Sequence, residues 1–372
     1  MNIPQVAPSL GEEEKRLVME ALDANWITEG PKCREFSERL NDLMGTKYGV
    51  FAPNGTLALY LGLCALGIGA GDEVIVPDTT FIGSANAVVM TGATPVFVDV
   101  NPRNFQIDAS VCAPALSPRT RAVMPVHLYG MTVDMDNITE FASKNGLAVI
   151  EDAAQAVGVH YRGRHAGTFG DVGCFSFFAD KTITTGEGGY VVCRTEETYE
   201  RLLLLRNQGR LNRGSFIHPA IGYNFRITDL QGAVGLAQIG RLDDIIRRKR
   251  EILEIYSSLL EGISEVRFLE LQEGSTYAPF RIVLICQDAH HLMEFLESAG
   301  IQTRTFFYPL HRQPCFQERP ELFPKPGSLD DSHFPNAISG YEHGMCLPVH
   351  PTLTEEEVVY ICTKIKEFYG HE

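Results

Sequence analysis

Apolar residues follow two rhythms along this chain. Short runs on consecutive positions, at 48–52, 73–76, 95–99, 122–126, 147–150, 174–178 and 190–193, alternate with stretches in which apolar residues return every three or four positions. Continuous apolar runs are what strands covered on both faces look like, so the pattern predicts a mainly parallel sheet wrapped by helices. Ser9 followed by Glu12 reads as a capping box opening a helix through Leu17, Val18, Ala21 and Leu22. A second helix is expected over 34–44. After Thr228 the texture changes. Positions 229–260 carry Leu, Ile, Ala and Arg at helical spacing and predict long helices leaving the first domain. Beyond them come a strand at 280–286, a helix at 290–298 closed by Gly300, a strand at 302–306, a loop-rich stretch with six prolines from Pro309 to Pro335, and a last helix at 354–368. The expectation is an α/β fold with a mainly parallel central sheet over residues 1–250 and a smaller C-terminal α+β domain over 251–372.

Composition narrows the function. The 372 residues carry a net charge of −15, which argues against a nucleic-acid partner because phosphate binding normally needs a basic face. The nine cysteines include no C-x-x-C pair, so zinc ribbons and dithiol redox motifs are unsupported and a reducing compartment fits. The first residues show no basic region followed by an apolar stretch, and no apolar run approaches the ~18 residues that span a bilayer. A soluble cytoplasmic protein with no membrane partner is expected.

Three places carry candidate chemistry. In LAVIEDA, 147–153, a buried strand ends in Glu151 and Asp152. They point to opposite sides, so one faces any ligand at the strand's carboxyl end; the alternative is an acid that caps the next helix or pairs with a surface arginine. In SFFADKTITTGEGG, 176–189, a strand delivers Ser176, Lys181 sits in a turn, and a Gly-rich loop follows. The lysine precedes the glycines, so this is no Walker A loop, and the glycines of GTFGDVG, 167–173, have the wrong spacing for a dinucleotide fingerprint. In NGTLAL, 54–59, a helix opens after a strand, and its N–H groups with the Thr56 hydroxyl make an anion site, although N-G-T is also an ordinary turn. Taken together, a helix N-terminus for a phosphate, an acid at a strand end and a lysine about thirty residues later describe a pyridoxal 5'-phosphate (PLP) site. The lysine bonds the aldehyde and then serves as general acid and base; the acid keeps the ring nitrogen protonated.

The chain also resembles the DegT/DnrJ/EryC1 family of sugar-nucleotide aminotransferases, within fold type I of PLP enzymes. The resemblance rests on NGTLALYLGL, GDEVIVPDTTFIGSANAV, GATPVFVDV, MPVHLYG, IEDAAQAVG, FSFFADKTITTGEGG and GYNFRITDLQGAVGLAQ, in that order over nearly the whole chain. It implies that Lys181 is the cofactor lysine and Asp152 the partner of the ring nitrogen. It implies that Gln155 lies near the ring oxygen, that Phe81 stacks on the ring, and that Gly55, Thr56 and Ser176 hold the phosphate. Asn224 would reach the phosphate of a neighbouring subunit, which makes the expected assembly a homodimer with shared sites. His311 and Arg226 are candidates for the substrate side. KTITTGEGG and MPVHLYG are most like members that aminate C4 of GDP-4-keto-6-deoxymannose with glutamate as donor. Asp180 stands where the family usually has Asn, and 313–336 has no counterpart that the resemblance places.

Other readings are a PLP-dependent sugar dehydratase, a non-catalytic PLP- or sugar-nucleotide-binding regulator, and a metalloenzyme. The dehydratase branch has His where Lys181 stands. The paired Asp152 and Lys181, without a DNA-binding appendage, oppose the regulator. No H-E-x-x-H or Cys/His cluster supports a metal, and His160, His165, His290 and His291 read as surface residues.

Overall fold

The computed structural model describes residues 2–210, 214, 216–323 and 327–371. Pro324 and Pro326 of the proline-rich stretch lie outside the described residues. The first layer is a seven-stranded sheet of β1 (Tyr48–Ala52), β2 (Glu73–Pro77), β3 (Thr94–Val98), β4 (Thr120–Val123), β5 (Ala148–Asp152), β8 (Val172–Ser176) and β9 (Gly189–Cys193), in the order β1-β9-β8-β5-β4-β2-β3. Strands β3, β2, β4, β5 and β8 run parallel, and β9 pairs antiparallel with both β8 and β1. Between β5 and β8 a small hairpin of β6 (His160–Tyr161) and β7 (Arg164–His165) interrupts the alternation.

The sheet is buried because its strands are apolar on both faces and helices cover each side. The helix Gly55–Ala65 is buried along nearly its whole length, as expected of one apolar all round. The first helix, Glu12–Asp23, begins two residues later than its Ser9 signal suggested. Gly11 is the cap, and its N–H donates to the Glu14 side chain at 2.7 Å. The Ser9 carbonyl instead accepts from Gln238 and Arg241.

The second layer is a four-stranded antiparallel sheet of β10 (Val266–Phe268), β11 (Ile282–Cys286), β12 (Arg304–Thr305) and β13 (Gly344–Leu347), in the order β10-β11-β13-β12. The helices Ala289–Ser298 and Glu355–Tyr369 contribute to its core. One helix, Leu242–Leu259, links the layers. Its Leu242, Ile245 and Ile246 pack under the large sheet, while Ile252 and Tyr256 belong to the second core. Ile3 joins the second layer from the other end of the chain, bridging Ile301.

Candidate active site

The carboxyl ends of parallel strands line up along one edge, where ligands of open α/β sheets bind. Four connections start there: Asp78–Phe81 after β2, the turn at His127–Tyr129 that follows β4, Asp152–Gln155 at the end of β5, and Ser176–Lys181 at the end of β8. That edge gathers most of the residues expected from the sequence.

Asp152 is buried at the end of β5. Its Oδ2 accepts from the Ser84 hydroxyl at 2.7 Å and its Oδ1 from the Ala154 N–H at 3.1 Å. Burial pushes its carboxyl above the usual range, while Ser84, Ala154 and the nearby Lys181 pull it back. A cationic ring nitrogen is the partner that suits such an acid. Glu151 faces the opposite side. It accepts from His127 Nε2 at 2.8 Å and from the N–H groups of Gly167 and Gly170 at 2.7 and 2.5 Å. All of this lies in the interior, so Glu151 is a strut for the 167–170 loop.

Lys181 sits in the turn after β8, where its N–H donates to the Phe178 carbonyl at 2.9 Å. Its Nζ lies 4.3 Å from the centre of the Phe280 ring. Burial lowers its pKa from the usual lysine range, against the pull of Asp180 and Asp152 and with the push of Arg281. A lysine so placed offers a free amine more readily than one in water. Asp180, the departure from the family pattern, accepts from Arg281 Nη2 at 2.5 Å.

The anion cradle comes from close packing. Asn54 caps the helix Gly55–Ala65 by accepting from the Leu57 N–H at 2.9 Å, which leaves the Gly55 and Thr56 N–H groups without intrahelical acceptors. A Cβ on Gly55 would stand 2.8 Å from the Ser176 Cβ, so the missing side chain is what brings the Ser176 hydroxyl to the helix end. Gly189 plays the same part in β9, where a side chain would strike the Asn54 carbonyl. Phe81 lies beside this cradle. A Cβ on Gly83 would meet both Thr56 Oγ1 and the Phe81 ring. Phe81 is 58% exposed, an apolar side chain open to a planar ligand. Gln155 is buried, and its Oε1 accepts from the N–H of Tyr129, a residue held at a φ of 57°.

Three sequence candidates lie differently. His311 is buried, with Nδ1 2.6 Å from Asp78 Oδ2, Nε2 3.1 Å from Asp331 Oδ1, and its ring stacked 4.2 Å from Phe334. Both nitrogens are engaged in anchoring the loop rather than offered to a substrate. Arg226 is half-buried. Asn224 is exposed and bridges Asn207. His165 is not at the surface: it accepts from the Gly158 N–H at 2.9 Å, and burial pushes its pKa down to about 3. Two residues were missed. Ser84, in the quoted GSANAV, orients Asp152, and Arg281 pairs with Asp180; a lone arginine inside the apolar run FRIVLI was the available signal for the second.

A sequence profile of the DegT/DnrJ/EryC1/StrS aminotransferase family matches residues 8–366. The chain belongs to that family. It is 41% identical over 370 residues to the GDP-perosamine synthase of Escherichia coli O157:H7, covering 99% of each chain. It is 36% identical over 375 residues to the GDP-perosamine synthase of Vibrio cholerae, again covering 99% of each. Sugar aminotransferase Spr1654 from Streptococcus pneumoniae, solved in its PLP form, superposes with a TM-score of 0.92 at 28% identity, covering 99% of this chain and 98% of the other. The protein is therefore a PLP-dependent sugar aminotransferase of fold type I. The residues fit that cofactor: a cradle with free N–H donors, a buried acid suited to a cation, an exposed aromatic and a desolvated lysine share one edge of the sheet. Among the described residues, no helix is long and apolar enough to cross a membrane.

Proposed function

We propose that the protein transfers the amino group of glutamate to C4 of GDP-4-keto-6-deoxymannose, yielding GDP-perosamine, and that the residues of the sheet edge carry the reaction. The observation that carries the reading is the pairing of a desolvated Lys181 with a buried Asp152 in a chain whose relatives named GDP-perosamine synthase match it end to end. When bound, PLP supplies an aldehyde carbon to take up the amine and a ring to spread the electron pair. Lys181 Nζ would be the amine for that carbon and, when glutamate takes its place, the base that would carry a proton between the two reacting carbons. Asp152 would keep the ring nitrogen protonated, Phe81 would cover the ring, Gln155 would lie near the ring oxygen, and Gly55, Thr56 and Ser176 would hold the phosphate.

We place the work in the cytoplasm of the cell, in a homodimer. The nine cysteines are all free, which suits a reducing compartment. The segment 24–30 and the segment 216–225 both pack against Arg206, and they expose Trp26, Ile27, Phe216 at 86% and Ile221 at 88%. Apolar groups gathered so openly suit a second copy of the chain. Asn224 lies in the second segment, where it would complete the neighbour's phosphate site.

The reading is tested by incubating the purified protein with glutamate and, separately, GDP-, UDP- and dTDP-linked 4-keto-6-deoxysugars, with products identified by mass and NMR. An amine at C4 of the GDP sugar, absent with Lys181→Ala, is the expected result. Elimination at C3 without amine transfer, or amination of another nucleotide sugar alone, overturns the assignment.

A further inference from the structure

Behind Lys181 lies a buried group of charges that amine transfer does not by itself require. Lys249, on the helix Leu242–Leu259, is only 3% exposed, and lysine is almost never so buried unless paired. Its neighbours in the RRKRE run find partners elsewhere: Arg247 with Asp244, Arg248 with the Leu353 carbonyl, Arg250 with the Tyr277 carbonyl. Lys249 alone turns inward, where it shares a cavity of about 20 Å³ with Asp180, Lys181, Thr182, Arg281 and His350.

The charges that meet there do not cancel. Arg281 holds one oxygen of Asp180 at 2.5 Å, and the other oxygen stands 3.9 Å from Lys181 Nζ. Asp152 is the second carboxylate acting on Lys181. Against these two acids stand three cations: Lys181, Lys249 and Arg281. His350 adds none, because burial holds its pKa below the usual value and its ring is turned to Thr352 and the Pro4 carbonyl. Arginine does not give up its proton in proteins. Of the three cations, only the two lysines can shed the proton whose charge burial penalises. Burial pushes Lys249 down to about 8, with Arg281 and Lys181 adding to the fall and Asp180 opposing it.

We propose that Lys249 is a positioning residue for the cofactor lysine: its ammonium group, buried beside the Asp180–Arg281 pair, opposes a second positive charge on Lys181 and so keeps the Lys181 amine free to bond an aldehyde. The inference rests on Lys181 being the cofactor lysine. It also gives Asp180 a purpose, since an asparagine there would leave Arg281 without its counter-ion and the cavity more positive still.

The test is a pH titration of the visible absorption band of the holoenzyme without substrate. Lys249→Met removes the charge at similar length, and the midpoint of the band's protonation change should rise by about one pH unit. Lys249→Arg keeps the positive charge, and its midpoint should stay at or below that of the native protein. A purely structural role would alter folding or cofactor affinity and leave the midpoint in place. An unchanged midpoint in folded Lys249→Met overturns the proposal. Should that variant not fold, the neutral Lys249→Gln takes its place and an unchanged midpoint there does so, as does a raised midpoint in Lys249→Arg. A native protein with no such band at all would remove Lys181 as the cofactor lysine, and this inference with it.

Discussion

Asp152 and Glu151 are adjacent acids at the end of one strand, and alternation along the strand gives them opposite fates. Asp152 keeps one oxygen on Ser84 and one on the Ala154 N–H; Glu151 is consumed by His127 and two loop N–H groups. Glu151 cannot stand in for its neighbour without abandoning that loop. Asp152→Asn keeps the shape and the bond from the Ala154 N–H, with the Ser84 hydroxyl turning to accept from the amide, but holds no proton on a pyridine nitrogen. We expect the variant to fold, by circular dichroism, and to lose at least about a hundredfold in kcat/KM, roughly 2.7 kcal/mol or more of transition-state stabilisation. Activity near the native level would move the role to another acid. At this scale the sequence was informative where a residue type was unusual for its place, as with acids ending an apolar strand or a lysine before a glycine loop. It was silent where burial depended on distant partners. Nothing local marks His165 as interior or His311 as a loop anchor between Asp78 and Asp331.

Elements were legible in proportion to the continuity of their apolar runs. The strands of the large sheet stand close to their expected positions because burial on both faces removes the ambiguity of alternation. The strand Gly344–Leu347, the inner partner of both β11 and β12, was not seen: four residues that begin with a glycine and are followed by Pro348 resemble a turn until their pairing supplies the context. The helix Pro335–His343 was hidden in the same way by the surrounding prolines. Helix Gly55–Ala65 carries the sharpest prediction at this scale. Gly55→Ala improves helix propensity, yet its Cβ would stand 2.8 Å from that of Ser176 and push the hydroxyl from the helix end. Overpacking of this kind costs about 1–3 kcal/mol. We expect PLP to bind about tenfold more weakly or worse, measured by titration of the apoprotein, with the fold retained. Native affinity would mean that Ser176 is no part of the cradle.

In the whole molecule, the helix Leu242–Leu259 ties the two cores together, and the 216–225 segment presents Asn224 and its exposed apolar neighbours on the outside. If the dimer shares its sites, mixing inactive Lys181→Ala with inactive Asn224→Asp subunits should restore activity, because a hybrid assembles one site with both residues intact. No recovery, once subunit exchange is shown by mass spectrometry, would place Asn224 outside the site.

The contact between Gly55 and Ser176 has a consequence for the life of the protein in a cell. The contact joins two segments far apart in the chain and exists only when the sheet has closed around them. A ligand held there binds the folded chain and not the unfolded one, so by mass action it adds about 2.7 kcal/mol of stability at a hundredfold excess over its Kd. Unfolded chains are the ones proteases remove. We therefore expect the abundance of this protein to follow the vitamin B6 supply of the cell, with scarcity lowering the number of surviving molecules as well as the fraction of them that can work.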